Sequence, residues 1–361
     1  MVDAVVSTIQ MTSANIENRL SFEDFYLHLE TKLKELVPHV EIRYKAELAW
    51  EINRLKREKN AVILGHNYME PALYHSIPDY VGDSLELSRK AAETESDTIV
   101  FCGVRFMAET AKILSPEKTV LLPSEKGGCS LAESITASDV RNLKERFPGV
   151  PVVTYVNTSA EVKAESDICC TSGNAAAVVN SLKAETVIFL PDEYLAKNVA
   201  NETGKHIIFP TATNGNDTDI DYQMIGWRGK CEVHEKFTIE DIENVRRQFP
   251  DVAILAHPEC SPEVVKASDF AGSTSALIKY VEQTSLPRYL LLTECSMGDN
   301  IIAANPEKEM LRLCSVRCPH MNEITLEDTL KALKLNQYIV DVPEPVRVKA
   351  SKAVERMIAI G

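Results

Sequence analysis

The sequence predicts an α/β protein built from three copies of one unit, each a short parallel sheet with helices on its faces. Three observations predict it. Short β-branched runs alternate with helical segments, which implies parallel strands joined by helical crossovers. Three of those strands end in a polar pair separated by one residue, and a hydroxyl follows each at nearly constant spacing. One cysteine then follows each hydroxyl in an equivalent loop.

Length and composition set the frame. A chain of 361 residues exceeds the size at which one core usually keeps growing, so two or three packed units are expected. A hydrophobic content of 45% with 25% charged residues is that of an ordinary globular protein. The net charge of −14 argues against nucleic acid or an anionic membrane as partner. The opening residues MVDAVVSTIQMTSANIENRL lack a basic segment followed by a long apolar one, so no signal peptide is read. No apolar run approaches a membrane span. The expected location is the cytoplasm.

Residues 1–58 read as an N-terminal helical extension, in which Leu48, Trp50, Ile52 and Leu55 stand among charges as on an amphipathic helix. From Ala61 the strand-like runs begin: 61–68, 97–103, 118–123, 151–157, 185–191, 205–210, 252–259 and 288–294. The units are expected at 59–135, 136–235 and 236–321. A polar insertion is expected at 211–226, and the C-terminal helices, 322–361, are expected to pack on the first unit.

The polar pairs are His66 with Tyr68, Tyr155 with Asn157, and His257 with Glu259. Each is followed by an Asp and an apolar residue, at Asp79, Asp167 and Asp269, and then by Ser84, Ser172 or Thr274. From His66 to Ser84, Tyr155 to Ser172 and His257 to Thr274 the offsets are 18, 17 and 17 residues. Three coincidences in register indicate an internal repeat. Cys129 lies 63 residues after His66, and Cys318 lies 61 after His257. Cys231 lies 76 after Tyr155, the excess being assigned to the insertion.

Nine cysteines in a reducing compartment need a reason other than disulfides. Without any CxxC pair, zinc-ribbon and thioredoxin readings are weak. Cys102, Cys169, Cys170, Cys260, Cys295 and Cys314 are read as structural thiols. If the units pack around one axis, Cys129, Cys231 and Cys318 meet. Three thiolates select an iron–sulfur cluster, zinc or copper(I). Zinc would recruit a nearby His or a fourth Cys. A cubane with three ligands keeps one iron open as a Lewis acid.

The hydroxyls of Ser84, Ser172 and Thr274 precede helices, where free N–H groups favour anions, although plain helix capping is the commoner role for any one of them. The strand-end residues stand at the carboxyl ends of parallel strands, where α/β proteins bind ligands. His257 with Glu259, and His66 with Tyr68, offer acids and bases for proton transfer at carbonyl or imine carbons. No nucleotide-binding loop or serine-hydrolase elbow appears.

From Ala61 to the C-terminus the chain resembles the quinolinate synthase family, iron–sulfur enzymes of de novo NAD biosynthesis. The resemblance rests on GHNY (65–68), GDSLELS (82–88), FCGVRFMAETAKIL (101–114), GCS (128–130), TYVNTSAEVKAESD (154–167), CTSGNA (170–175), CEVHE (231–235), HPEC (257–260), AGSTSAL (271–277) and CPHM (318–321). It implies three similar three-layer α/β domains around a pseudo-threefold axis. The implied reaction is condensation of iminoaspartate with dihydroxyacetone phosphate to quinolinate, phosphate and water. One [4Fe–4S] cluster per chain would be held by Cys129, Cys231 and Cys318. His66 and Tyr68 would bind and isomerise the triose-derived part, and Tyr155 and Asn157 would position the intermediate. Ser84, Ser172 and Thr274 would hold carboxylate or phosphate oxygens, with His257 and Glu259 moving protons. The resemblance also implies transient contact with the enzyme that supplies iminoaspartate.

Two rivals arise from the same residues. One is another [4Fe–4S] hydro-lyase of a polycarboxylate. The other is a non-catalytic metal-binding or redox-sensing protein, which would leave the His, Tyr and Glu pairs without a purpose.

Overall fold

The computed structural model describes residues 21–210, 222–313 and 316–360. Its strands form three separate sheets whose pairings are all parallel. The first holds β1 (Ala61–His66), β2 (Tyr80–Gly82), β3 (Thr98–Cys102) and β4 (Thr119–Leu121) in the order β2-β1-β3-β4. The second holds β5 (Val152–Tyr155), β6 (Ile168–Cys170), β7 (Val187–Leu190), β8 (Ile207–Ile208) and β9 (Met224–Gly226) in the order β6-β5-β7-β9-β8. The third holds β10 (Val252–Ala256), β11 (Phe270–Ala271), β12 (Arg288–Leu292) and β13 (Glu309–Leu311) in the order β11-β10-β12-β13. Apart from the extra edge strand β8, one topology is used three times. The central strands β1, β5 and β10 are buried along their whole length, which is why they read as apolar runs without alternation.

The repeat is visible at the level of single hydrogen bonds. Each aspartate that opens the segment before the second strand clamps the central strand. Asp79 Oδ2 accepts from the Ile63 N–H, Asp167 Oδ2 from Val152 and Asp269 Oδ2 from Ile254, each at 2.8 Å. The backbone answers in the opposite direction, with the N–H of Asp79, Asp167 and Asp269 donating to the carbonyls of the same three residues. Those aspartates therefore set where the second strand joins the first.

The units close into a ring. Seven residues after each of Cys129, Cys231 and Cys318 stands a threonine, Thr136, Thr238 or Thr325. Each caps a helix by accepting from the N–H of an aspartate three residues on. Helix Ala137–Arg146 packs against helix Ala160–Ala164 of the second unit, and Ile239–Gln248 packs on β10 of the third. Helix Leu326–Leu335 returns to the first, against β3 and helix His39–Glu58. Each cysteine thus stands where one unit hands over to the next. The last helix, Glu344–Ile358, lies across the first two units, touching helices Ser84–Glu93 and Arg105–Leu114 as well as Ala160–Ala164 and β6.

Two details differ from the sequence reading. Most of the expected insertion at 211–226 lies outside the described residues, but Met224–Gly226 is buried and is the fourth strand shared by all three sheets. The addition peculiar to the second unit, among the described residues, is instead edge strand β8. The short strands β2, β6, β11 and β13, of two or three residues each, were not among the expected runs, because pairing with a neighbour rather than local apolarity defines them. Cys314 lies outside the described residues.

Candidate active site and metal centre

One cavity of roughly 710 Å³ of atom-free space, counting its open mouth, is lined by side chains from all three units. Every residue singled out above as ligand or binding group borders it: Cys129, Cys231, Cys318, His66, Tyr68, Ser84, Tyr155, Asn157, Ser172, His257, Glu259 and Thr274.

The three cysteines occupy matching turns. The carbonyls of Cys129, Cys231 and Cys318 accept from the N–H four residues later, at Glu133, Glu235 and Asn322, each at 3.1 Å. Their sulfurs face backbone N–H groups two and three residues on: Leu131 and Ala132, Val233 and His234, His320 and Met321. Such donors favour thiolate, yet burial dominates. It pushes the Cys129 thiol up to about 12, Cys318 to about 11 and Cys231 well above its ordinary value. Buried sulfurs preorganised for negative charge by backbone N–H groups suit a metal centre that brings its own positive charge. The donor set therefore fits a metal cofactor held by three thiolates. Cys231 also belongs to a tighter group with His234 and Glu259, whose ligand atoms lie within 4.8 Å of one another.

The strand-end histidines have fixed orientations. His66 Nδ1 accepts from the Tyr68 N–H at 3.2 Å, and His257 Nδ1 accepts from the Glu259 N–H at 3.3 Å. In each ring the proton is thereby assigned to Nε2. His257 Nε2 stands 3.1 Å from Ser172 Oγ. Burial lowers His66 to about 4 and His257 to about 3, with Glu259 opposing both shifts, so both rings are neutral near pH 7. Burial alone would raise the Glu259 carboxyl. The His234 ring beside it, with His257 and the Tyr155 hydroxyl, holds it well below the usual carboxylate range instead. Asn157 Nδ2 donates to its Oε1 at 3.3 Å.

His234 is the residue that sequence reasoning missed. Its Nδ1 is 2.7 Å from Glu259 Oε2 and 3.2 Å from Cys231 Sγ, and its Nε2 is 2.9 Å from Thr293 Oγ1. The ring stacks on His257 at 4.7 Å. Thr293 in turn lies 2.5 Å from the Tyr68 hydroxyl. One set of proton positions satisfies the whole row: Tyr68 donates to Thr293, Thr293 to His234 and His234 to Glu259. The available signal was a histidine three residues after Cys231 in CEVHE. Nothing local marked Thr293.

Helix capping does not use up the hydroxyls of Ser84 and Thr274. Asp83 caps the helix of Ser84, accepting from Leu85 and Glu86 at 3.1 Å, and Ser273 caps that of Thr274. Thr274 Oγ1 accepts from Asn67 Nδ2 at 2.9 Å. Both residues border the cavity from the first turn of their helices.

Residues 50–359 match the family described as quinolinate synthetase A protein. The chain is 53% identical over 332 residues to quinolinate synthase 2 of Mesorhizobium japonicum, covering 92% of this chain and 97% of that protein. It is 54% identical over 309 residues to a quinolinate synthase of Agrobacterium fabrum, covering 86% and 84%. A quinolinate synthase of Caulobacter vibrioides is 50% identical over 331 residues, covering 91% and 85%.

Proposed function

The chain belongs to the quinolinate synthetase A family, and from that premise we propose that it condenses iminoaspartate with dihydroxyacetone phosphate, a transferase reaction giving quinolinate, phosphate and water. The observation that carries this reading is the meeting of three cysteines and three strand-end polar pairs at one cavity. Cys129, Cys231 and Cys318 would hold a [4Fe–4S] cluster, which when bound supplies an open iron that polarises an oxygen leaving as water.

The remaining work falls to side chains. Ser84, Ser172 and Thr274, one from each unit, hold carboxylate or phosphate oxygens. With Asn157 and Tyr155 they keep two small reactants in contact, which lowers the entropic barrier to carbon–carbon bond formation. Neutral His66 donates from Nε2 to a carbonyl of the triose portion. Glu259, ionised and fixed by Asn157 and His234, takes protons from carbon. Tyr68, whose hydroxyl pKa burial raises well above its ordinary value, keeps its proton until a departing oxygen needs it. The row through Thr293 and His234 joins that acid to the base. The buried cavity limits hydrolysis of the imine. The cytoplasm remains the expected location, supported by nine cysteines without a CxxC pair that a reducing compartment would hold as thiols. The enzyme that releases iminoaspartate is the expected transient partner.

The test is an anaerobic assay with iminoaspartate generated in situ and the triose phosphate. Quinolinate should form, and Glu259→Gln should abolish it while the bound iron and sulfide stay at parental levels. Turnover of a polycarboxylate in place of quinolinate synthesis would favour another hydro-lyase. No turnover by the parent would favour a sensor.

The Cys231, His234 and Glu259 group favours a second reading, a zinc ion at those three atoms. That reading leaves Cys129 and Cys318 idle and breaks the His234 row. Metal analysis of protein prepared without oxygen separates the two.

A further inference from the structure

The three cysteine loops are tied to one another by residues outside the ligand set. Trp227 Nε1 donates to the Ser134 carbonyl at 3.0 Å, joining the approach to Cys231 with the turn after Cys129. Gly229 presses on the same turn: a Cβ added there would lie 2.5 Å from Ser134 Oγ and 3.2 Å from Leu131 Cδ1. His320, two residues after Cys318, reaches both other loops. Its Nε2 is 3.1 Å from Oε1 of Glu232, the neighbour of Cys231. Its ring also packs on Gly128, the neighbour of Cys129, where an added Cβ would stand 3.4 Å from Nδ1. Contacts therefore run around the full circle of loops.

The His320 contact is partly open to solvent. The side chains of His320 and Glu232 are 25% and 36% exposed, whereas His257 and Glu259 on the same cavity are each 4% exposed. The pair borders the same cavity as the three thiols.

We propose that His320 and Glu232 form a clasp that holds the three cysteine loops in ligating position and slows the loss of a bound cluster to solvent-borne chelators. The inference rests on the cluster reading above. Both are positioning residues: neither supplies a ligand, and each acts by restraining the loops that do. Removing Glu232 breaks the tie to the Cys231 loop, and removing His320 also lifts its packing on Gly128, so either change leaves the Cys318 loop less restrained. A cluster on two thiolates is then open to attack.

The test uses the full chain, reconstituted with iron and sulfide without oxygen, and reads the rate of iron transfer to a soluble ferrous chelator. His320→Ala and Glu232→Ala should each release iron about threefold faster than the parent or more, within what a partly exposed polar contact can contribute. The double variant should be no faster than His320→Ala alone, because that change already removes the contact with Glu232. His320→Gln retains a donor toward Glu232 and should stay near the parental rate, while the thermal midpoint of the iron-free chain is unchanged by all four variants. Parental rates in both alanine variants, or additive acceleration in the double one, would overturn the clasp. Should an alanine variant take up no iron, His320→Gln and Glu232→Gln decide: parental retention supports the clasp, and equal failure overturns it. A parent chain that binds no iron at all sinks the cluster reading instead.

Discussion

The Nδ1 atom of His234 stands 2.7 Å from Oε2 of Glu259, and this contact joins the end of the second unit to the carboxyl edge of the third sheet. Neither residue does this alone. Glu259 is aimed by β10, His234 by the turn after Cys231, and the ring of units brings them together.

The short contacts of the row from Tyr68 to Glu259 pass through the Thr293 hydroxyl, the direct approach of Tyr68 to His234 Nε2 being longer at 3.5 Å. Thr293→Val keeps the shape of the side chain but removes its link to both Tyr68 and His234. Quinolinate formation should fall by about 10²-fold or more, as for loss of an acid–base partner. Iron content should not change. A valine variant with parental turnover removes the row from the mechanism.

Ligand identity is testable residue by residue. Alanine at Cys129, Cys231 or Cys318 should each lower bound iron to near background after anaerobic reconstitution. Alanine at Cys102, Cys169 or Cys170, which are buried within strands, should leave iron bound and cost stability only. Full iron loading in any of the first three variants contradicts the assignment.

The three aspartate clamps are alike in the backbone they hold but not in what else they touch. Asp79 also pairs with Lys56 Nζ at 3.0 Å, and Lys56 is only 4% exposed. Asp269 pairs with the exposed Arg246. Asp167→Ala should cost about 1–3 kcal/mol for an unmet buried N–H. Asp79→Ala should cost about 3 kcal/mol or more, because it leaves the buried Lys56 ammonium without its carboxylate, facing the Ile77 carbonyl at 2.9 Å. Asp269→Ala should resemble Asp167→Ala, since an exposed ion pair adds little. Urea unfolding of the iron-free chain gives the ranking, and equal costs at Asp79 and Asp167 would contradict it.

His257 makes stability depend on pH in a defined direction. Burial, helped by His234 and His66 and opposed by Glu259, lowers its folded pKa to about 3 from the ordinary value of 6.5. Above pH 6.5 the ring is neutral folded or unfolded, so its contribution is intact. As pH falls below 6.5, the unfolded ring takes a proton that the folded one refuses, and stability is lost down to about pH 3. His257→Phe lacks this loss. The stability of the parent relative to that variant should therefore decline on acidification, by at most about 1.4 kcal/mol per pH unit. Denaturation of the iron-free proteins near pH 7 and near pH 5 measures it, and a constant difference would show that the ring is not buried as a neutral base.

Much of the molecule was legible in the chain itself. The apolar runs at 61–68, 151–157 and 252–259 hold the central strands because strands buried on both faces are filled mainly by apolar residues, and that rule acts locally. The triple recurrence of a polar pair, an aspartate, a hydroxyl and a cysteine was readable because a repeated fold repeats its chemical demands at fixed spacing. A further recurrence, a capping threonine seven residues after each cysteine, carried the same message.

Other features depended on long-range packing. Helix Leu326–Leu335 packs on β3 and helix His39–Glu58, but no local pattern told that Glu344–Ile358 would reach the second unit as well, because several apolar faces were free to receive it. Strands as short as Phe270–Ala271 exist through their neighbours, not their own composition. His234 and Thr293 acquire their place only when three units meet, since a hydrogen bond between residues 59 positions apart leaves no mark on spacing. The sequence by itself determined which residues face a common centre. The tertiary structure decided which of them touch, because contact depends on how the units pack and composition does not encode that.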